Sequence, residues 1–489
     1  MLNRTDLSIK CKNQQLAKLL FLIIVVGVIC AMAGNRNPDT KQGRTNAAEH
    51  RAATRGPQGT FLTNVPTHML DIITGRPTAT SITLSALCYE DTKAYVAYGI
   101  EKDNLASRTE SIDLIKGRPH EIILKNLKPD TQYYYHLCDA AANVALPDSD
   151  GKFHTQRLPG STFLFTVQAD SHLDEKANPE IYRQTLTNAL ADSPDFHIDL
   201  GDTFMTDKHS SRESAAKQYL AQRYYFGLIG RSSSIFLVIG NHDGEDARLL
   251  RGGADALAVW SNSMRKLYFP NPVPDGFYSG DSIRNSFCGL LQDYYAWDWG
   301  DALFIVLNPY WYSSGDKDNN WNMTLGKEQY IWLKNTLERS RARFKFVFIH
   351  QLVGGLGKGG RGGTEVAKFF EWGGKNIDDS DGFKENRSGW EMPIHELLIR
   401  NHVTIVFHGH DHFFARQNLD GIVYQEVPQP GSMNNDYPRQ AAEYGYTDGV
   451  ILGGSGHLRV TVSPDKVTVD YIKSSPTSPV AYSYSITAK

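Results

Sequence analysis

The chain has 489 residues, 41% of them hydrophobic, 21% charged and 11% aromatic. That balance excludes a mostly disordered chain, a collagen-like chain and a multi-pass membrane protein, and the length allows about three domains. With 51 Lys and Arg against 54 Asp and Glu, the formal net charge is −3. A dedicated nucleic-acid binder would show a basic stripe, whereas a compact site for an anionic substrate remains open because bound metal ions can supply local positive charge.

Arg4, Lys10, Lys12 and Lys18 precede an uncharged run, residues 19–33, that closes on Ala31-Met32-Ala33. A basic leader, a short apolar core and an A-x-A end form the layout of a secretory signal peptide. The run is also shorter than the roughly 20 residues that span a bilayer comfortably. Residues 1–33 are therefore read as a signal peptide, with an uncleaved signal anchor as the rival, and the folded part is expected to be secreted or periplasmic. A membrane contact is expected only in the anchored case. Residues 34–64 are polar and aperiodic and read as a flexible linker. Outside the leader, Cys88, Cys138 and Cys288 are too few for a disulfide scaffold and too scattered for a cysteine-rich zinc module.

From 65 to 156 the pattern is one of short alternating strands. Ile82, Leu84, Ala86 and Cys88 repeat with period two, as one buried face of a strand does. Residues 95–98 and 121–124 continue the series. The stretch from Leu127 through Pro129 to Tyr133 is similar to the leucine–proline–tyrosine corner of fibronectin type III domains. Strands at this spacing with such a corner predict a small β-sandwich. In that register Tyr133, Tyr135 and Leu137 face inward, so Cys138 faces out while Cys88 faces in. The parity disfavours a bridge between them.

From 161 to 489 the grammar changes to strand, loop, helix. Residues 162–169, 196–200, 235–239, 303–307, 345–349 and 404–407 are short apolar runs rich in β-formers. Helical stretches at 180–191, 214–227, 327–340 and 393–400 lie between several of them, and 457–462 with 467–472 form a closing hairpin. Such alternation predicts an α/β domain whose strands are buried on both faces.

The chemistry sits where these runs end. They lead into Asp170-Ser171-His172, Gly201-Asp202, Gly240-Asn241-His242-Asp243, His350, and His408-Gly409-His410-Asp411-His412. Loops at the carboxyl ends of strands in an α/β sheet converge on one crevice. Five segments thus deliver oxygen and imidazole donors to one place. Imidazole and carboxylate without thiolate suit zinc, iron, manganese or similar ions. Two carboxylates, one amide oxygen and four histidines suffice for two ions with one carboxylate between them, a pair able to serve an in-line phosphoryl displacement.

In this ordered motif set the chain resembles the calcineurin-like metallophosphoesterases, from about Ser161 to the C-terminus. The preceding sandwich makes it similar to their purple acid phosphatase branch. The resemblance implies a fibronectin type III-like β-sandwich followed by an α/β metallophosphoesterase domain of two β-sheets flanked by helices. It implies Asp170, His172 and His412 on one metal ion, Asn241, His350 and His410 on the second, and Asp202 between them. Asp202 and His242 would be the catalytic pair, with His242 facing the substrate beside Asn241 and either steadying the phosphoryl oxygens or protonating the leaving group. One departure stands out: the purple branch carries Gly-Asp-x-x-Tyr, and this chain has Gly201-Asp202-Thr203-Phe204-Met205. The tyrosinate is missing and His172 is available in its place, which weakens any carry-over of the ferric ion.

Residues 354–363 contain Gly355-x-Gly357-x-x-Gly360, but no helix opens on them and no Ser or Thr follows Lys358 as a phosphate loop requires. They read as a lip that brings Lys358 and Arg361 near substrate, or as a plain loop. Tyr310, Trp311 and Tyr312 either stack on a substrate ring or pack, and His408 either orients a ligand or packs. The expected function is an exported dimetal phosphoesterase acting on small phosphorylated substrates through attack of metal-bound hydroxide on phosphorus. Monoesters come first and diesters are the alternative. The expectation from another class is a surface-binding or adhesion protein using the fold as a scaffold, which the intact donor set argues against.

Overall fold

The computed structural model describes residues 59–316, 319–355, 357, 359–433 and 437–488. The leader, most of the linker and Lys358 lie outside the described residues. The end of the stretch read as linker is seated on the C-terminal domain. Phe61 stacks on His209 with ring centroids 3.9 Å apart, and the Leu62 N–H donates to the Leu173 carbonyl at 2.7 Å.

Leu70–Gly75, Ile82–Cys88 and His120–Leu124 form one antiparallel sheet. Thr92–Gly99 pairs with Gln132–Asp139 in a second, which Gly151–His154 extends. Ile72, Leu84, Val96, Tyr135, Leu137 and Phe153 fill the space between the two as the core of a β-sandwich. The Lys128 N–H donates to the Tyr133 hydroxyl at 2.9 Å, the tie that makes a tyrosine corner. Two details differ from the sequence reading. Ile82–Cys88 is buried along its whole length rather than on alternate residues, because its second face packs on the next domain. Cys138 points away from the sandwich core, as parity requires, yet it is buried, with Tyr95 directly opposite on the neighbouring strand. All three cysteines from Cys88 onward are free thiols.

The second domain is two sheets laid face to face. In one, Ser234–Leu237, Phe196–Asp199 and Phe163–Gln168 run parallel, followed antiparallel by Gly456–Val462, Lys466–Lys473 and Val480–Thr487. In the other, Ala302–Val306, Phe344–Phe348, Ile405–His408 and Ile422–Glu426 are parallel, with Tyr295–Trp299 and Phe414–Leu419 antiparallel beside them. Phe165, Phe196, Trp297, Phe304, Phe348 and Phe407 interdigitate between the sheets. Helices cover the outer faces: Lys327–Arg339 and Ile394–Arg400 on the second sheet, Pro179–Ala191 and Arg212–Gly230 on the first. The strands are thus buried on both sides, as their unbroken apolar runs predict.

Caps set the helix bounds. Asn178 accepts the N–H groups of Glu180 and Ile181 ahead of Pro179, and Ser211 forms a capping box with Ser214. Apolar periodicity alone placed the second helix start two residues late, because it registers packing and not capping. Helix Arg212–Gly230 also docks the sandwich. Tyr225, Phe226 and Ile229 meet Ile73 and Leu87, each buried aliphatic side chain contributing about 1.5–3 kcal/mol. The buried Arg223 donates to the carbonyls of Ser85, at 2.6 Å, and Tyr268. Among the described residues no helix is long and apolar enough to cross a membrane.

Candidate metal centre

The parallel strands of both sheets end at one edge, and the predicted donors gather there. Asp170, His172 and His412 form one cluster; Asp202, His350 and His410 form a second. In the first, Asp170 Oδ1 lies 3.7 Å from His172 Nε2 and 3.4 Å from His412 Nε2. In the second, Asp202 Oδ2 lies 3.4 Å from His350 Nε2, and Asn241 Oδ1 is 3.0 Å from the same nitrogen. Asp202 Oδ2 is also 3.6 Å from His172 Nε2, so one carboxylate faces both clusters.

In His172, His350 and His410 the ring nitrogen that does not face inward is engaged elsewhere. His350 Nδ1 donates to the Leu200 carbonyl at 2.8 Å and His410 Nε2 to the Gly359 carbonyl at 2.7 Å, while His172 Nδ1 meets Asp174 at 3.3 Å. Outer contacts of this kind select the tautomer that leaves the inner nitrogen with a lone pair for a cation. Asp170 Oδ1, His172 Nε2 and His410 Nδ1 are buried with no hydrogen-bond partner. Orphaned buried donor atoms converging without thiolate are what hard and borderline divalent ions require, so the residues present fit two metal ions. Burial works against charge on His350, but the carboxylates of Asp202 and Asp170 outweigh it and push the imidazole up to about 9. That surplus of negative field draws cations.

The backbone is bent to make this site. Asp170, His172, Asp202, His410 and His412 all have left-handed φ, from 45° to 78°, a conformation that costs non-glycine residues about 1–3 kcal/mol each and persists only where the surroundings over-determine it. Each of the five N–H groups is held: Asp170 by the Gly201 carbonyl, His172 by the Asp202 carbonyl, Asp202 by Asp243, His410 by Asp170 and His412 by Glu426. The loops approach so closely that a Cβ on Gly240 would fall 2.1 Å from the Asp202 nitrogen. Glycine is required there.

The sequence profile of calcineurin-like phosphoesterases matches residues 163–414, which carry every one of these donors. The chain belongs to the calcineurin-like phosphoesterase family. It is a metal-dependent phosphoric ester hydrolase. Among solved structures, PhoD is 15% identical over 87% of this chain and 92% of its own, with a TM-score of 0.62. A purple acid phosphatase from yellow lupin (Lupinus luteus) seeds is 14% identical over 85% of this chain and 74% of its own, with a TM-score of 0.56. At such identities the likeness is one of fold, and coverage of that extent takes in the sandwich as well as the two-sheet domain. A comparison with curated protein sequences finds no match.

Several groups that support this phosphoesterase centre carry no sequence signal of their own. Asp243 was visible only as the end of a motif, yet its carboxylate accepts the N–H groups of Gly240, Asp202, Thr203 and Phe204 at 2.7–3.0 Å. Gln218 and Gln222, from helix Arg212–Gly230, both donate to the Thr203 carbonyl. Asp207 lies 3.1 Å from His242 Nδ1, and the His242 N–H donates to Asp202 Oδ1 at 2.7 Å. His408 packs against Glu426, outside both clusters.

Two cavities open on the phosphoesterase site, of about 710 Å³ and 230 Å³. Asp170, His172, Met205, His412 and Tyr444 line the larger; Asn241, Tyr310, Gln351 and His410 line the smaller; His242 and Arg361 line both. Arg361 donates to the His410 carbonyl and to Asp411 and lies over the Tyr444 ring, 4.5 Å from its centroid. The glycine-rich segment presents carbonyls inward: Gly359 to His410, and Gly359 and Gly360 to Gln351. It therefore buttresses a histidine, a role that neither sequence reading of it contained. Tyr310 is buried with its hydroxyl donating to Gln351 at 2.8 Å, and Trp311 packs with Ala258 and Leu291. Tyr310 is thus a wall of the smaller cavity, and Trp311 a packing residue.

Proposed function

We propose that Asp170, His172 and His412 hold one metal ion, that Asn241, His350 and His410 hold a second, and that Asp202 is shared between them. The carrying observation is that two donor clusters meet at one carboxylate, with Asp170 Oδ1, His172 Nε2 and His410 Nδ1 buried and unpartnered. Ions held by these residues would activate water at neutral pH and clamp phosphoryl oxygens. His242, its Nδ1 turned to Asp207, keeps Nε2 toward the cavities and delivers a proton to the departing alcohol oxygen. Arg361, fixed by Asp411, offers its guanidinium to the phosphoryl group. Asn241 and His242 line the cavities with Arg361, and Lys358 belongs to this proposal through its sequence position close to Arg361.

The first substrate reading is a phosphomonoester, on the architecture of sandwich followed by phosphoesterase. A specific observation favours a second, the phosphodiester: the cavities meet at His242 and Arg361, leaving room for an organic group on either side of phosphorus. The metals belong to the set zinc, manganese and iron. Residues 1–33 support export of the folded part, which fractionation with N-terminal sequencing of the mature chain tests.

Stripping the protein with a chelator and restoring Mn²⁺ or Zn²⁺, with aryl mono- and diesters as substrates, tests the whole reading. Activity should vanish and return, and the ratio of the two rates decides the ester class. Undiminished turnover after verified removal of all metal would overturn it.

A further inference from the structure

The strand Ile422–Glu426 runs parallel to Ile405–His408, and its last residue stands beside His408 in register. Glu426 is fully buried. Its Oε1 accepts the backbone N–H of Asp411 at 2.9 Å and of His412 at 3.1 Å, and its Oε2 lies 2.6 Å from His408 Nδ1. One carboxylate therefore caps the turn that carries two of the candidate ligands through Oε1, while its Oε2 is buried without a hydrogen-bond partner beside the His408 ring. The turn needs holding, since His410 and His412 have φ of 78° and 72°. Asp170 takes the His410 N–H, but among the described residues only Glu426 takes those of Asp411 and His412.

We propose that Glu426 is a positioning residue that sets the turn at residues 409–412 so that His410 and His412 face separate ions. It touches no donor atom of either cluster and acts through the backbone alone. Outer-sphere groups of this kind change metal affinity by about 10–100-fold when removed. The inference rests on the proposed ligand roles of His410 and His412, and the experiment separates the two claims.

Manganese is titrated calorimetrically into the metal-stripped full chain, with circular dichroism as the check on folding. Wild type should bind two ions; failure to do so would refute the ligand reading itself. Glu426→Ala should bind both ions at least about tenfold more weakly. Glu426→Gln keeps one oxygen for the two N–H groups and should stay within about threefold of wild type, which guards against a variant that merely unfolds. Glu371 is equally buried and also accepts a backbone N–H, from Leu325 at 2.8 Å, but belongs to neither cluster nor cavity. Glu371→Ala should lower the melting temperature and leave metal affinity unchanged. Wild-type affinity in Glu426→Ala, a loss no greater than that of Glu371→Ala, or equal losses in the alanine and glutamine variants would each overturn the proposal.

Discussion

Asp243 accepts the backbone N–H of Asp202 on Oδ2 at 3.0 Å, and so a side chain outside both metal clusters bends the residue that faces them both. Burial and the nearby Asp202 carboxylate push Asp243 up to about 7, which marks how much negative charge the loops concentrate. Asp243→Ala strips the acceptor from four N–H groups in a buried site, a loss of at least about 4 kcal/mol at 1–3 kcal/mol per unsatisfied group. Thermal unfolding should show a fall of several degrees, and Asp243→Asn, with one acceptor oxygen left, should lie between it and wild type. A melting curve for Asp243→Ala that overlays the wild type would show that the turn is held by something else.

Asp202→Asn and His242→Ala should fail in different ways. The shared carboxylate faces both clusters, so its amide variant should lose bound metal as well as activity. His242 touches Asp202 through its backbone N–H and faces the cavities with its ring. Its alanine variant should keep both ions and lose about 10²–10⁴-fold in turnover, the usual contribution of a positioned acid. Elemental analysis beside initial rates distinguishes the two. Loss of both ions from folded His242→Ala protein would reverse the assignment.

Metal removal should destabilise the fold. Asp170, Asp202, Asp243 and Glu426 are all buried near one another, and binding that is exclusive to the folded state adds about 2.7 kcal/mol when free ion stands at 100 times its dissociation constant. Calorimetric scans should therefore show a melting temperature that rises with added manganese. A temperature independent of metal concentration would contradict a resident pair of ions.

Metal-loaded protein should be colourless or nearly so. The purple branch owes its band to a tyrosinate on ferric iron, and here Met205 stands at that position, lining the larger cavity. Tyr310, which lines the smaller cavity, donates a hydrogen bond from its hydroxyl to Gln351 Oε1, and burial with the Asp202 carboxylate holds it far above the ordinary range. A thioether is a poor partner for a hard trivalent ion. Strong visible absorption that disappears on changing one tyrosine would place a phenolate on the metal after all.

The donors were legible in the sequence because each follows a short apolar run, and a run buried on both faces is a local pattern that needs no knowledge of neighbours. The same locality explains why the sandwich could be read from apolar residues spaced two apart and the corner at Leu127 and Tyr133. Strands Tyr295–Trp299, Phe414–Leu419 and Val480–Thr487 escaped, since polar residues interrupt each of them and leave no unbroken apolar run. What only the tertiary structure decided is which groups hold the donors still. Asp243 reaches the N–H of a residue 41 positions earlier, Glu426 reaches back 15 and 14, and the Gly359 carbonyl meets a histidine 51 positions later. Composition and spacing carry no trace of these contacts, because a backbone N–H belongs to every residue but proline and finds its acceptor only when loops from separate strands are packed against each other.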